Sequence, residues 1–317
     1  MRSNVDKEKL FGNIDRFLAS QKAAVFKVSG YGEVSLWPSI LELVKRYSKC
    51  FPVVQVITNG TLNENLFEGL KSIENLVVTV TIDGHTMQMN SNRVSGNKKL
   101  HGKVLEFAST CKRNEIPLEI NCVLSSANID GFLKYIGYIK ENFGSTVKVF
   151  PFPVRPFEGL VSSCRPASLG SIESMEQKLS DRYENFHEIL PPVEYMFRMF
   201  EFMKGVKRRW KCYVPKLVYA EGPTLEKLIC PCLGHTKPSE NNNTLKGNLK
   251  PGKLDGVSFI DRRCFECFTH YEVLNLFKDG LISIKDLKRI PSFSLPTSDE
   301  VLTLLSSSSA QNHTVNS

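Results

Sequence analysis

The sequence predicts an α/β fold: a parallel sheet with helices between its strands, curled into an open or closed barrel, and then a small cysteine-rich α+β domain. Three observations carry that reading. Five short, nearly continuous apolar runs alternate with helix-length segments through the first half of the chain, the pattern of strands buried on both faces and joined by helical crossovers. Right-handed crossovers curl such a sheet toward a barrel, and the runs end in small and polar residues that would form a binding rim. Farther on, five of the nine cysteines fall between Cys212 and Cys267.

The elements follow in order. Ser3 to Gln21 reads as an amphipathic helix, with Leu10, Ile14, Phe17 and Leu18 on one side and Lys7, Lys9, Asp15 and Arg16 mostly on the other. Ala24 to Glu33 (AVFKVSGYGE) is a β-favouring run that ends in a glycine-flanked turn carrying one acid. Pro38 to Tyr47 is a helix with proline near its start, and Val53 to Gly60 (VVQVITNG) repeats strand plus turn. Asn63 to Ser72 is the next helix, Leu76 to Gly84 (LVVTVTIDG) the third strand, and a helical region runs from about Leu100 to Arg113. Leu118 to Ser125, Ile129 to Phe143 and Thr146 to Val154 complete the alternation as strand, helix and strand.

From Phe157 the pattern changes. Ser162, Ser163, Pro166, Ser168 and Gly170 mark a linker holding Cys164, before helical material at about Ile172 to Leu190. Val193 to Trp210 reads as a second helix with a basic end of Lys204, Lys207, Arg208, Arg209 and Lys211. Those cations fit a helix C-terminus, where they complement the dipole; the competing reading is a patch for an acidic peptide or nucleic acid with Trp210 to stack. Tyr271 to Arg289 looks like two helices with a break at Asp279-Gly280, and the polar run beyond Pro296 reads as a disordered tail. The expected division is a barrel over 1–157, a linker and bridging helices over 158–211, the cysteine-rich domain over 212–292 and a tail over 293–317.

Composition limits the function. With 317 residues, 41% of them hydrophobic, the chain can hold one large domain and a smaller one. The formal charge of +8 is spread along the sequence and permits an acidic or nucleic-acid partner without arguing for one. No apolar run approaches the ~18 residues of a membrane span, and MRSNVDKEKL is too polar for a signal peptide, so the expected compartment is the cytoplasm. An odd number of cysteines without an export signal speaks for reduced thiols or metal ligands. Cys50, Cys111 and Cys122 stand alone and read as buried structural cysteines.

The order of turns resembles the core of the radical S-adenosylmethionine (SAM) family. Gly30-Tyr31-Gly32-Glu33 matches its GGE-like motif, Thr58-Asn59-Gly60 its TNG turn, and Thr81-Ile82-Asp83-Gly84 followed by Arg93 its S-x-D-G turn, all at βα spacing over roughly the first half of the chain. The resemblance implies a partial βα barrel that lacks its first strand here. It implies that Gly30, Tyr31, Gly32 and Glu33 hold the methionyl amino group of SAM, that Thr81 and Asp83 lie near the sugar, and that Arg93 assists the carboxylate. It also implies an electron donor such as a flavodoxin or ferredoxin. The family's first strand is followed by a Cys-x3-Cys-x2-Cys loop that holds a 4Fe-4S cluster, and that spacing does not occur in these 317 residues. The expected consequences are inactivity in SAM cleavage, an uncovered edge on the Val25 strand, and a Met1 that is an internal start or the end of a truncated chain.

The cysteine-rich segment contains Cys212, the pair Cys230 and Cys232 in C-x-C, and the pair Cys264 and Cys267 in C-x2-C. Two thiolates at C-x2-C spacing bite one metal centre, and both structural zinc and an iron-sulfur cluster accept a shell of four. Cys212, then Gly222, then a cysteine pair resembles the SPASM or shorter twitch extension that follows radical SAM cores. That likeness implies one auxiliary 4Fe-4S cluster, with four of the five as ligands and Cys230 or Cys232 the doubtful one. His235 and His270 lie near the cysteines, His270 being the better candidate ligand and a surface position the plainer reading for both. Two functions follow: a radical SAM-like protein, fragment or divergent, that works on a peptide or small molecule; or a non-catalytic binding module with a zinc-stabilised cysteine-rich surface.

Overall fold

Asp6 starts the first helix, its carboxylate accepting the Lys9 N–H at 3.1 Å, and α1 (Lys7–Ser20) buries Phe11 before Gln21 turns to extended backbone. The computed structural model describes residues 5–29, 32–154, 164–208, 210–222, 225, 227–228, 230, 252–254, 257–259 and 267–294. The alternation continues through β1 (Val25–Val28), α2 (Ile40–Tyr47), β2 (Val53–Thr58), α3 (Glu64–Lys71), β3 (Leu76–Thr81), α4 (Ser91–Val94), α5 (Lys98–Arg113), β4 (Leu118–Leu124), α6 (Phe132–Phe143) and β5 (Lys148–Pro153). Asparagines set two of these starts: Asn63 caps α3 through Leu66 N at 2.8 Å, and Asn97 caps α5 through Leu100 N at 3.1 Å.

All five strands pair in parallel in the order β1-β2-β3-β4-β5. One face of the sheet packs on helices: the Phe26 ring meets that of Tyr47 of α2 at 5.6 Å, and Tyr135 of α6 donates its hydroxyl to the Ile82 carbonyl at 2.8 Å. The other face is partly polar. Gln55 Nε2 of β2 donates to Thr79 Oγ1 and Glu119 Oε2, both at 2.7 Å, which places three strands' polar side chains in one buried network.

The second half begins with α7 (Leu169–Ser180), α8 (Tyr183–Phe186), α9 (Val193–Met203) and α10 (Val214–Leu217). Two small antiparallel pairs follow, β6 (Ala220–Glu221) with β7 (Lys227–Leu228) and β8 (Gly252–Leu254) with β9 (Val257–Phe259). The described chain closes with α11 (Glu272–Lys278), α12 (Ile284–Lys288) and α13 (Pro291–Ser294). This closing segment lies against the polar face of the sheet: Ser292 N donates to Glu119 Oε1 at 2.9 Å, and His270 Nε2 meets Lys27 Nζ. Phe268, Val273, Leu276, Leu287 and Phe293 belong to the same apolar core as the five strands. Among the described residues, no helix is long and apolar enough to cross a membrane.

Several local expectations change. The α9 helix ends at Met203 rather than near Trp210, because Gly205 takes a left-handed φ of 89° and Val206 N turns back to the Glu201 carbonyl. Lys204 of the basic run is thus the C-cap residue of α9 and pairs with Glu176 and Glu201, whereas Arg208 lies beyond the helix, buried against Glu272. The material from Ile172 to Leu190 divides into two helices around Asp181 and Arg182. Cys111 and Cys122 are buried as expected, but Cys50 is exposed, since it falls in the turn after α2 rather than on its inner face. The helix break at Asp279-Gly280 holds, with Gly280 at a φ of 71°. His235 and the tail from 295 lie outside the described residues.

Candidate functional site

The rim is built by strand ends that reach toward one another. Glu33, just past β1, caps the short 3-10 turn Val34–Leu36, and its Oε1 accepts from Ser35 N at 3.3 Å and from Thr58 Oγ1 at 2.7 Å. Its Oε2 accepts the Asn59 N–H at 2.7 Å. The acid of the first turn is thus clamped to the Thr58-Asn59-Gly60 turn of the second, and each member of that turn has a task. Gly60 sits at a φ of 82°, with Val80 and Val104 side chains 3.2 Å from where a Cβ would be.

Two other glycines differ in an informative way. A Cβ on Gly84 would come 2.2 Å from Met89 Cβ, so packing alone demands glycine there. A Cβ on Gly32 would meet nothing within 4 Å, so no described contact demands it. Gly30 and Tyr31 lie outside the described residues.

Asp83 is buried at 3% exposure and is fully used. Its Oδ1 accepts from Val123 N at 2.7 Å, its Oδ2 pairs with Arg93 Nε at 2.8 Å, its N–H donates to Asn90 Oδ1, and its carbonyl takes Asn128 Nδ2 at 2.7 Å. Burial pushes its carboxyl above the ordinary range, against the pull of Arg93. Arg93 keeps its terminal amino groups without a partner among the described residues, on a side chain 42% exposed. Thr81 stands half-buried at the end of β3, opposite Asn121 of β4.

Sequence reasoning did not single out the asparagines behind this corner. Asn90 also donates to His101 Nδ1 at 3.2 Å, which leaves His101 Nε2 as the donor to the His85 carbonyl at 3.1 Å. Asn128 ties Val123, Ser125 and Asp83 together. An asparagine in a turn carries no signal of which distant carbonyl it will reach. Cys164 was read only as a linker residue, yet it lies near enough to Asp83 and Arg93 for both to act on its thiol, which burial pushes up.

The second cluster gathers three of the five candidate thiols. Cys230 is buried beside Val214, with Cys212, Cys267, Val218 and Tyr271 packed around them. Cys212 Sγ lies 4.0 Å from Asn275 Nδ2; burial raises its thiol, with Arg208 opposing and Cys267 close enough to add to the rise. Cys232 and Cys264 lie outside the described residues, and among the described residues no three potential ligands are grouped to hold a metal. His270 faces Lys27 and Tyr271.

A five-stranded parallel sheet in sequential order, with helices between its strands, defines the class: the chain has the α/β fold of the radical SAM partial barrels. Solved structures that share it include anSMEcpe with bound AdoMet (TM-score 0.52, 14% identity, 96% of this chain and 88% of that one) and SuiB of Streptococcus suis (TM-score 0.54, 10% identity, 76% and 57%). SuiB bound to its precursor peptide SuiA aligns with a TM-score of 0.53 at 11% identity, covering 74% of this chain and 55% of that one. By sequence, the chain is 26% identical over 216 residues to the neomycin C epimerase of Streptomyces fradiae, covering 67% of this chain and 64% of that protein. The chain thus spans less than two thirds of the length of that curated relative. No protein-family model matches it.

Proposed function

We propose that the chain is the SAM-binding barrel and auxiliary metal region of a radical SAM-like protein acting on a peptide or small molecule. The observation that carries this is the contrast at the rim: Glu33 is fixed by three hydrogen bonds beside Gly32, a glycine that no described contact requires. A bare backbone next to a clamped carboxylate suits a ligand's cationic amino group. Gly30, Tyr31, Gly32 and Glu33 would receive the methionyl amino group, Thr81 would face the ribose and Arg93 the carboxylate. Asp83 would orient Arg93 rather than touch the sugar, since it is buried at 3% exposure and paired with Arg93, whereas Glu33 is only half-buried.

Cys212, Cys230, Cys232, Cys264 and Cys267 would supply four ligands to one auxiliary 4Fe-4S cluster; Cys212, Cys230 and Cys267 share one apolar cluster with Val214, and a bound cluster would draw them into the metal-holding group that the described residues do not form by themselves. Such a cluster supplies electron transfer or a substrate-binding iron when bound. The chain's own part is to bind and orient SAM at the rim. The substrate class draws support from the SuiB likeness, whose solved complex contains a precursor peptide, and the small-molecule option from the epimerase. A flavodoxin or ferredoxin would be the electron donor, and the cytoplasm the compartment. Nucleic acid has lost its candidate stacking residue: the Trp210 ring is occupied by Arg198 and Arg208 at 4.6 and 5.5 Å.

Calorimetry with SAM tests the rim. Gly32→Val has room within the fold, so it should stay folded while losing the heat of binding; equal heats for wild type and variant would sink the assignment. Anaerobic reconstitution tests the metal: about four irons and broad visible absorption are expected, both lost in Cys264→Ala and Cys267→Ala. One tightly held zinc with no uptake of iron and sulfide would instead favour the binding module.

A further inference from the structure

Arg208 is a guanidinium only 3% exposed, and two buried donors, its own Nε–H and that of Trp210, have no acceptor among the described residues. Its Nη2 bonds Glu272 Oε2, but its Nε–H has no partner among the described residues, nor has Trp210 Nε1–H. A buried donor left unpaired is costly, so two in neighbouring side chains call for an acceptor that the described residues do not provide. Glu272 does not neutralise Arg208 alone, because its Oε1 also pairs with Arg198 Nη1 at 2.7 Å. The same Glu272 Oε2 accepts from Asn275 Nδ2 at 2.9 Å, and that amide nitrogen stands 4.0 Å from Cys212 Sγ. Cys212 and Cys267 are both within electrostatic reach of the guanidinium.

We infer that Arg208, with Trp210 Nε1–H beside it, is the outer partner of an anionic metal–thiolate centre built on Cys212 and Cys267. The guanidinium offsets the centre's negative charge and donates a hydrogen bond to its sulfur, while Glu272 and Asn275 hold that cation and Cys212 in register. Outer partners of this kind tune both metal affinity and reduction potential. The inference rests on the auxiliary-centre reading above, but it asks only for an anionic sulfur-ligated metal and so can be judged with more than one.

The test uses the whole chain in two metal forms. In the iron-sulfur form, Arg208→Met should lower the midpoint potential by an amount equal to about a tenfold shift in the one-electron equilibrium, about 59 mV. Arg208→Lys should recover part of it, and Glu272→Gln should move the potential the other way by leaving the guanidinium less neutralised. A residue that merely props up the fold would not give opposite signs in two variants that both break one ion pair. In the cobalt(II) form, read from the absorption of thiolate-bound metal, Arg208→Met should bind at least about tenfold more weakly than wild type. Unchanged potential in an iron-loaded Arg208→Met overturns the inference while the cluster reading stands. If wild type takes cobalt but no iron and sulfide, the 4Fe-4S reading fails and cobalt affinity decides the inference. If it takes neither, both fail.

Discussion

The two polar regions of the molecule are organised by different distances along the chain. At the barrel rim, Glu33 reaches Thr58 and Asn59, and Asp83 reaches Arg93 and Val123; each partner lies in the same strand-to-strand connection or one α/β repeat away. Around Glu272, the partners Arg198 and Arg208 come from a segment before the cysteine-rich stretch and α11 from after it, with sequence separations of 74 and 64. The rim keeps Glu33 and Arg93 partly exposed at the strand ends, with Asp83 buried behind them, whereas the Glu272 group is shut in, its carboxylate at 0% exposure and Arg208 at 3%. A polar site made of local turns survives as a motif, and one made of distant ions exists only once the chain has closed.

The largest expected effect breaks that closed group. Glu272→Ala leaves Arg198 with Asp279 alone and Arg208 buried with no carboxylate partner among the described residues, and removing one partner of a buried pair costs about 3–5 kcal/mol. Denaturant unfolding should show a loss of that size. A loss below about 1 kcal/mol would mean that water reaches the group and that the contrast with the rim is smaller than the burial implies.

That same contrast explains what the sequence made legible. The five strands were readable because parallel strands buried on two faces need nearly continuous apolar runs, and Val53 to Thr58 and Leu76 to Thr81 are mostly β-branched apolar residues. The rim residues were readable because a glycine or a small polar residue at a strand end has few reasons to be there. Arg208 was not. In sequence it is one cation among five near a helix end, and only Gly205, which stops α9 early, removes the dipole explanation. Glu119 was equally hidden: one acid in a strand gives no sign that Gln55, Thr79 and Ser292 will converge on it from three other elements.

A smaller effect is expected at the rim itself. Glu33→Gln keeps an acceptor for Thr58 or Asn59 but removes the charge, and a hydrogen bond to a charged group is worth about 1.5–3 kcal/mol. SAM affinity should therefore fall roughly ten- to hundredfold by calorimetry, while stability changes far less than in Glu272→Ala. If stability falls as much as it does in that variant, Glu33 is a structural clamp like Glu272 and the distinction between the regions disappears.

The smallest expected effect concerns Glu119, which joins the regions by holding Ser292 of α13 against the sheet. Burial raises its carboxyl above the ordinary value of 4.5, with Ser292 and Lys27 opposing the rise. Between 4.5 and the raised folded value, the native protein binds more protons at this site than the unfolded chain does. Stability must then fall as pH rises through that window, by at most about 1.4 kcal/mol per pH unit for one group. Asp83, raised from 3.8 by burial, contributes with the same sign, so the useful quantity is the difference between wild type and Glu119→Gln. Glutamine cannot ionise and still accepts the Ser292 N–H through its carbonyl oxygen. Denaturation midpoints measured from pH 4.5 upward should separate in favour of the variant as pH rises. Parallel curves would mean that Lys27, which lies across the sheet from Gln55 and whose charge acts on Glu119, already holds the carboxylate ionised in the folded protein. The closing segment would then be fastened to the barrel by a charge pair of the same kind that surrounds Glu272.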